Sequence, residues 1–323
     1  MGEFELIQRW LSHFDPGSAG LVVGPGDDAA VVSPPEGDLV LTTDALVDGV
    51  HFLSPRWPPE DIGHKAVAVN LSDLAAMGAE PLWLLLALGL PSPPPGADWL
   101  DALARGAAAL ARTHGVSLIG GNVSRSPALS LTLTAVGRAP RGQHLRRSGA
   151  QAGDRVYVSG ALGDAALGLQ LLLAPGQAQA AATRPLIAQQ RRPTPRVALG
   201  QGLLGIASAC LDISDGLAQD LGHLLTASGV GAEIFLGALP LSEAYRAHQG
   251  DRPEAWAPAV CGGEDYELLF TAPPAQAPAL AALSKALSLS ISQIGVIEEA
   301  PGLRWRTPAG ERWEPPRGGW QHL

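Results

Sequence analysis

Polar and apolar residues alternate with period two through SLTLTAVGRA, and this predicts a half-buried strand over Ser130–Ala139. LVLTTDALVDGVHF predicts a strand over Leu39–Thr43 that runs into a loop. Between these lie two helical patterns, Asp61–Met77 and Asp98–Thr113. In the first, Ile62, Ala66, Val69 and Asp73 share one face by the i, i+4, i+7, i+11 rule, with Asp61 as N-cap and Gly78 just past the end. A polar, turn-rich break over Arg138–Asp154 divides the chain into residues 1–140 and 141–323. Beyond it strands and helices alternate. RVYVSG, ACLDIS, AEIFL, YELLFTA and SQIGVIEE read as strands, and Asp164–Leu173 and Gly216–Ala227 as helices. A Pro/Arg segment spans Arg184–Arg196. The pattern predicts an α/β (α+β) chain of two domains, the second built on a mixed sheet. Frequent Gly and Pro predict short elements.

Composition narrows the classes. At 323 residues the chain is long for one core, and 46 % hydrophobic with 16 % charged residues is globular. The longest apolar run, Leu82–Leu90, is too short to span a bilayer, and the polar, acidic opening MGEFELIQRW lacks the basic start of a secretory signal. Two cysteines, Cys210 and Cys261, make no disulfide framework and fit a reducing cytoplasm. The net charge is −9 and lysine occurs only at Lys65 and Lys285, which argues against nucleic acid as a partner. An anionic substrate would need a divalent metal to neutralise it.

Carboxylates recur beside apolar strands or at a helix end in five places: Asp27/Asp28, Asp44, Asp73, Asp212/Asp215 and Glu264/Asp265. Each alone reads as a turn or capping residue, and Ser214 or Asp215 is placed to cap the helix that follows. Asp73 falls in the last helical turn, where the dipole disfavours negative charge, so it either pairs with a donor or faces a cation. Together the five places predict a shared site for a hard cation, and oxygen ligands point to Mg²⁺. The paired Gly120 and Gly121 read either as a tight turn after a strand or as a backbone approach to phosphate. GxxxxGK[ST] is absent, as is the protein-kinase motif set.

Taken in order, GEFELI, GPGDDAAVV, TTDALVDGVHF, KAVAVNLSDLAAMGAEP, LIGGN, RSGAQAGD, LDISDGLAQDLGHL and CGGEDYELLFT resemble the thiamine-monophosphate kinases, in the superfamily of aminoimidazole-ribonucleotide synthetase. The likeness runs nearly the whole length. It implies a homodimer in which N-terminal strands of two subunits form a barrel, with residues 1–140 binding ATP and Mg²⁺. It also implies phosphoryl transfer from ATP to thiamine phosphate, whose own phosphate attacks in line and needs no strong base. By matching motif, Asp28, Thr42, Thr43, Asp44, Asp73, Asp212 and Asp215 would hold Mg²⁺. Gly121, Arg147 and Ser214 would contact ATP, and His51, Glu264 and Trp320 the thiamine phosphate. A tryptophan suits a cationic ring. The family reads Gly-Gly-Asp where this chain reads Gly120-Gly121-Asn122. Asn122 keeps a carbonyl oxygen for metal and nucleotide but loses a charge, so the resemblance implies a kinase with a higher Mg²⁺ requirement. The alternatives are another ATP-using member of the superfamily, or a homologue that binds nucleotide or thiamine phosphate without turnover. His114 stands where the family often has an aromatic near the nucleotide.

Overall fold

The computed structural model describes residues 2–15, 17, 20–174, 181–250 and 253–316. The chain divides into two compact units, residues 1–74 with 79–142, and residues 75–78 with 143–323. The first runs α1 (Glu3–Leu11), β1 (Leu21–Val23), β2 (Val31–Val32), β3 (Asp38–Val47), α2 (Pro59–Ala76), β4 (Glu80–Leu90), α3 (Ala97–Thr113), β5 (Ser117–Arg125) and β6 (Ser130–Ala139). Its four-stranded sheet has the order β3-β6-β4-β5, with β4 and β5 parallel and the other pairs antiparallel. The period-two pattern of β6 sends Leu131, Leu133 and Ala135 into the core, and Thr132, Thr134 and Val136 to the opposite face. That opposite face carries the exposed Leu39, Leu41 and Leu85.

Helix α2 starts at Pro59, two residues before the expected Asp61 cap, so Asp61 lies inside the first turn. Pro there gives up an N–H that the first turn leaves unpaired anyway. The helix stops as expected at Gly78: its φ is 70°, and the N–H groups of Gly78 and Ala79 return to Ala75 and Leu74 at 2.9 Å each. Ile62, Ala66 and Val69 are buried along the predicted face. Helices α2 and α3 meet at glycines. A Cβ on Gly106 would stand 1.9 Å from the Glu60 carbonyl oxygen, with that backbone fixed by its own helix. Gly106→Ala is therefore expected to cost about 1–3 kcal/mol, read as a fall in Tm by calorimetry.

The second unit runs β7 (Arg155–Ser159), α4 (Asp164–Leu173), α5 (Arg184–Arg191), α6 (Val197–Gly202), β8 (Ala209–Asp212), α7 (Leu217–Ser228), β9 (Gly231–Phe235), α8 (Glu243–Gln249), α9 (Ala257–Cys261), β10 (Leu268–Ala272), α10 (Ala277–Leu287), β11 (Ile291–Glu298), β12 (Gly302–Arg306) and β13 (Arg312–Trp313). Its seven-stranded sheet has the order β13-β12-β9-β11-β7-β10-β8 and is mixed, since β9 and β12 are parallel and the remaining pairs antiparallel. β10 is buried along its whole length between β7 and β8, which is why its sequence is continuously apolar rather than alternating. The expected helix over Asp164–Leu173 has those bounds. The Pro/Arg segment is largely helix α5. Elements are not uniformly short: α2 has 18 residues and β4 has 11. Among the described residues no helix is long and apolar enough to cross a membrane.

Candidate functional site

In the first unit, strand β3 and the last two turns of α2 present the candidate metal ligands. The expected loop after Thr43 is strand as far as Val47, so residues 42 to 45 alternate across the sheet. Thr42 points toward α2 and its hydroxyl donates to Asp73 Oδ2 at 2.5 Å. Asp44 is on the same side, its N–H donating to Asn70 Oδ1 at 3.1 Å. Asn70 is fully buried one turn before Asp73 and returns its own amide to the Ala66 carbonyl at 3.0 Å. Two hydrogen bonds thus lock β3 onto α2 at the level of Asp73. The Thr42 hydroxyl also offsets the dipole at that end of the helix, which opposes a carboxylate by about 0.3–1 kcal/mol.

Thr43 projects from the other face, donating to the Leu133 carbonyl at 2.9 Å and lying 3.3 Å from the Thr134 hydroxyl. Gly120 and Gly121 do not form a turn. They lie inside β5, in register with Leu85 and Leu86 of β4. A Cβ on Gly121 would meet the Leu86 carbonyl oxygen at 2.1 Å, so the glycine is explained by strand pairing. Asn122 follows, exposed and in register with Ala87, on the face that carries Thr43 and opposite that of Asp44. Asp27 and Asp28 are exposed ahead of β2, and the Asp27 side chain accepts the Asp28 N–H at 2.9 Å, the local turn closure that adjacent carboxylates permit. His51 accepts the Val47 N–H at Nδ1, 3.1 Å. His114 caps the end of α3, and burial lowers its pKa.

In the second unit, β8 delivers Asp212, buried, to the loop of Ser214 and Asp215. Neither Ser214 nor Asp215 caps α7 as expected. Asp220, one turn inside the helix, turns back to accept the N–H groups of Ser214, Asp215 and Gly216, each at 3.0 Å on Oδ2. Burial pushes the Asp220 carboxyl up to about 7, against the pull of those three donors. The loop is thereby shaped from below, leaving Asp215 to accept from Gln219 at 3.0 Å. The Glu264 segment lies beside it: Glu264 N–H donates to Ser214 O at 2.8 Å and Tyr266 N–H to Ile213 O at 2.9 Å. Arg147 is exposed, and its carbonyl accepts from Ser228 at the end of α7 at 3.3 Å. Trp320 lies outside the described residues.

The candidates therefore form groups: Thr42, Asp44 and Asp73 about β3 and α2, and Asp212, Ser214, Asp215 and Glu264 about the loops after β8 and before β10. Among the described residues no three His, Cys, Asp or Glu side chains are placed to hold a metal ion by themselves. Asp27, Asp73 and Asp220 each engage neighbouring hydroxyl or N–H donors. Sequence reasoning missed Asn70 and Gln190, and passed over Asp220 as a helix residue. A polar residue on an apolar helix face was the available signal for Asn70.

Family models for AIR synthase related protein match both parts of the chain, the N-terminal domain over residues 26–139 and the C-terminal domain over residues 151–306. The thiamine-monophosphate kinase of Salmonella typhimurium is 46 % identical over 297 residues, 91 % of this chain and 88 % of the relative. The crystal structure of the thiamine-monophosphate kinase from Stenotrophomonas maltophilia superposes with a TM-score of 0.87 at 44 % identity, covering 97 % of this chain and 98 % of that one. A structure of AaThiL complexed with AMPPCP and TMP superposes with a TM-score of 0.77 at 35 % identity over 100 % of this chain and 97 % of that one. On the extent of these matches across both units, the chain belongs to the thiamine-monophosphate kinases, within the AIR synthase related proteins.

Proposed function

We propose that the chain transfers the γ-phosphoryl group of ATP to thiamine phosphate, giving thiamine diphosphate and ADP. One observation carries this reading: identity of 44–46 % to thiamine-monophosphate kinases over about nine-tenths of the chain. The AMPPCP and TMP held by a relative of 35 % identity support ATP and thiamine phosphate as the two substrates. Residues 1–140 then serve ATP, Mg²⁺ and dimerisation, and residues 141–323 form the C-terminal α/β domain.

The donor set fits Mg²⁺, which keeps several waters and takes one or two carboxylates plus substrate phosphates rather than a protein cage. Asp28, Thr42, Thr43, Asp44, Asp73, Asn122, Asp212 and Asp215 offer only oxygen, and the Thr42–Asp73 hydrogen bond orients a carboxylate that the helix end leaves electrostatically exposed. Bound there, Mg²⁺ would neutralise the phosphate oxygens of two anionic reactants. The chain's own part is alignment. Gly121, Asn122, Arg147 and Ser214 bind ATP, the loop moulded by Asp220 orients Ser214, and His51, Glu264 and Trp320 hold the acceptor. No side chain is required as a strong base, because the attacking phosphate is already an anion.

The exposed apolar face of the first sheet, with Leu39, Leu41 and Leu85, supports pairing with a second copy to close a barrel. Buried cysteines without a disulfide support a cytoplasmic setting.

The test is an assay of purified protein with ATP and thiamine phosphate at titrated Mg²⁺. Equal formation of ADP and thiamine diphosphate is expected. Binding of both ligands without product at any Mg²⁺ concentration would overturn the reading in favour of a binding homologue. Asn122→Asp is expected to lower the Mg²⁺ needed for half-maximal rate about three- to tenfold, since it restores a charge at a position that the resemblance gives to Mg²⁺, on the sheet face opposite Asp44 and so about an ion other than the one near Asp44 and Asp73.

A further inference from the structure

We propose that Gln190 is a positioning residue that sets the Glu264 carboxylate for the acceptor substrate; this rests on Glu264 contacting thiamine phosphate. Gln190 lies near the end of α5 with 1 % of its surface exposed. Its Nε2 donates to Glu264 Oε2 at 2.5 Å. The preceding Gln189 donates to the Asp265 main-chain carbonyl at 3.3 Å. Consecutive amides from one helix therefore hold the side chain of one residue and the backbone of the next.

The segment they hold is strained. Glu264 has φ 69° and Tyr266 φ 50°, two non-glycine residues in the left-handed region on either side of Asp265. Such conformations persist only where surroundings over-determine them, and they gather at functional sites. The surroundings are visible here. The Asp265 carboxylate accepts the Gly163 N–H at 2.9 and 3.0 Å, anchoring the segment to the start of α4. The backbone bonds to Ile213 and Ser214 anchor it on the opposite side.

The choice of an amide is chemically specific. An arginine or lysine would hold the carboxylate equally well but cancel its charge. A neutral donor such as the Gln190 amide orients the carboxylate without itself cancelling the charge. Such a carboxylate suits a substrate with N–H donors and a positively charged ring, which describes the aminopyrimidine and thiazolium of thiamine phosphate. It discriminates against phosphate acceptors that have neither.

Steady-state kinetics test this. Gln190→Met is expected to raise the KM for thiamine phosphate about tenfold, the value of one charge-assisted hydrogen bond, while the KM for ATP and the Tm stay unchanged. In a Glu264→Gln background the same change is expected to act by less than about twofold, because the two residues act as one unit. Should the methionine variant not fold, Gln190→Asn keeps the amide but falls one methylene short, with the same expected split between the two KM values. Equal rises in both KM values, or a full tenfold effect in the Glu264→Gln background, would make Gln190 merely structural and overturn the proposal. If Glu264→Gln itself leaves the thiamine phosphate KM untouched, the assignment of Glu264 is at fault and the proposal falls with it. If Glu264→Gln raises that KM and Gln190→Met is silent, the proposal alone fails.

Discussion

Asp73→Asn is expected to lower kcat about a hundred- to a thousandfold while leaving the fold at least as stable as before. The two halves of this expectation have one cause. Asp73 sits in the last turn of an 18-residue helix, where the backbone carbonyls present partial negative charge. A residue selected for stability would not be an acid there. Asparagine has the same shape and can still accept the Thr42 hydroxyl, so the lock between β3 and α2 survives. It removes the repulsion with the helix end, a gain of about 0.3–1 kcal/mol. What it loses is a full charge on the group that Thr42 orients, the carboxylate proposed to hold Mg²⁺. Kinetics at saturating Mg²⁺, with thermal melting beside them, check both halves. Unchanged turnover would remove Asp73 from the metal site, whereas lost turnover with a lower Tm would make it a structural acid.

Breaking the ion pair behind the Glu264 segment is expected to have the largest effect on stability. Glu267 has a side chain only 2 % exposed and is held by Arg196 and by the Ser159 hydroxyl, which is 2.5 Å from Oε2. Ser159 also receives the Leu268 N–H at 2.9 Å, so the pair is continuous with strand β10. Asp164 and Asp265 lie close enough that the charge on Glu267 raises the pKa of each, adding to the larger effect of burial. Arg196 is thus a cation set in an acidic neighbourhood. Arg196→Met leaves a buried carboxylate without its counter-ion and should cost about 3–5 kcal/mol in urea unfolding. The double change Arg196→Met with Glu267→Met should recover most of that loss, because replacing a buried pair by apolar groups is often near neutral. Arg196→Lys should recover less, since an ammonium does not reproduce the fork that meets both oxygens. A loss below about 1 kcal/mol for Arg196→Met, as at exposed pairs, would show that water reaches Glu267 when the arginine is removed.

Much of the architecture is legible in the sequence. The alternation in SLTLTAVGRA located β6 to the residue, because a half-buried strand must present every second side chain to the core. Asp164–Leu173 was equally plain. Gly78 was a sound stop signal because a left-handed residue ends a helix most cheaply as glycine. Other signals misled for identifiable reasons. Asp61 has the chemistry of a cap, but Pro59 starts the helix earlier. Ser214 and Asp215 have it too, yet a carboxylate one turn later reaches all three N–H groups at once. The Gly120-Gly121 pair imitates a turn because sequence does not distinguish a glycine needed for positive φ from one needed for close approach of a neighbouring strand.

The residues by themselves determined the two-part α/β plan, the oxygen-only set of candidate ligands and the family, since these follow from composition, periodicity and motifs read along one dimension. Only the tertiary structure decided which side of the sheet each candidate faces, that Thr42 reaches Asp73 while Asn122 looks the other way, and that Gln190 grips Glu264 from 74 positions away in the chain. The physical reason is that strand register and long-range side-chain hydrogen bonds depend on which elements become neighbours. That choice is made by burial of the whole apolar surface together and is not encoded in any single stretch.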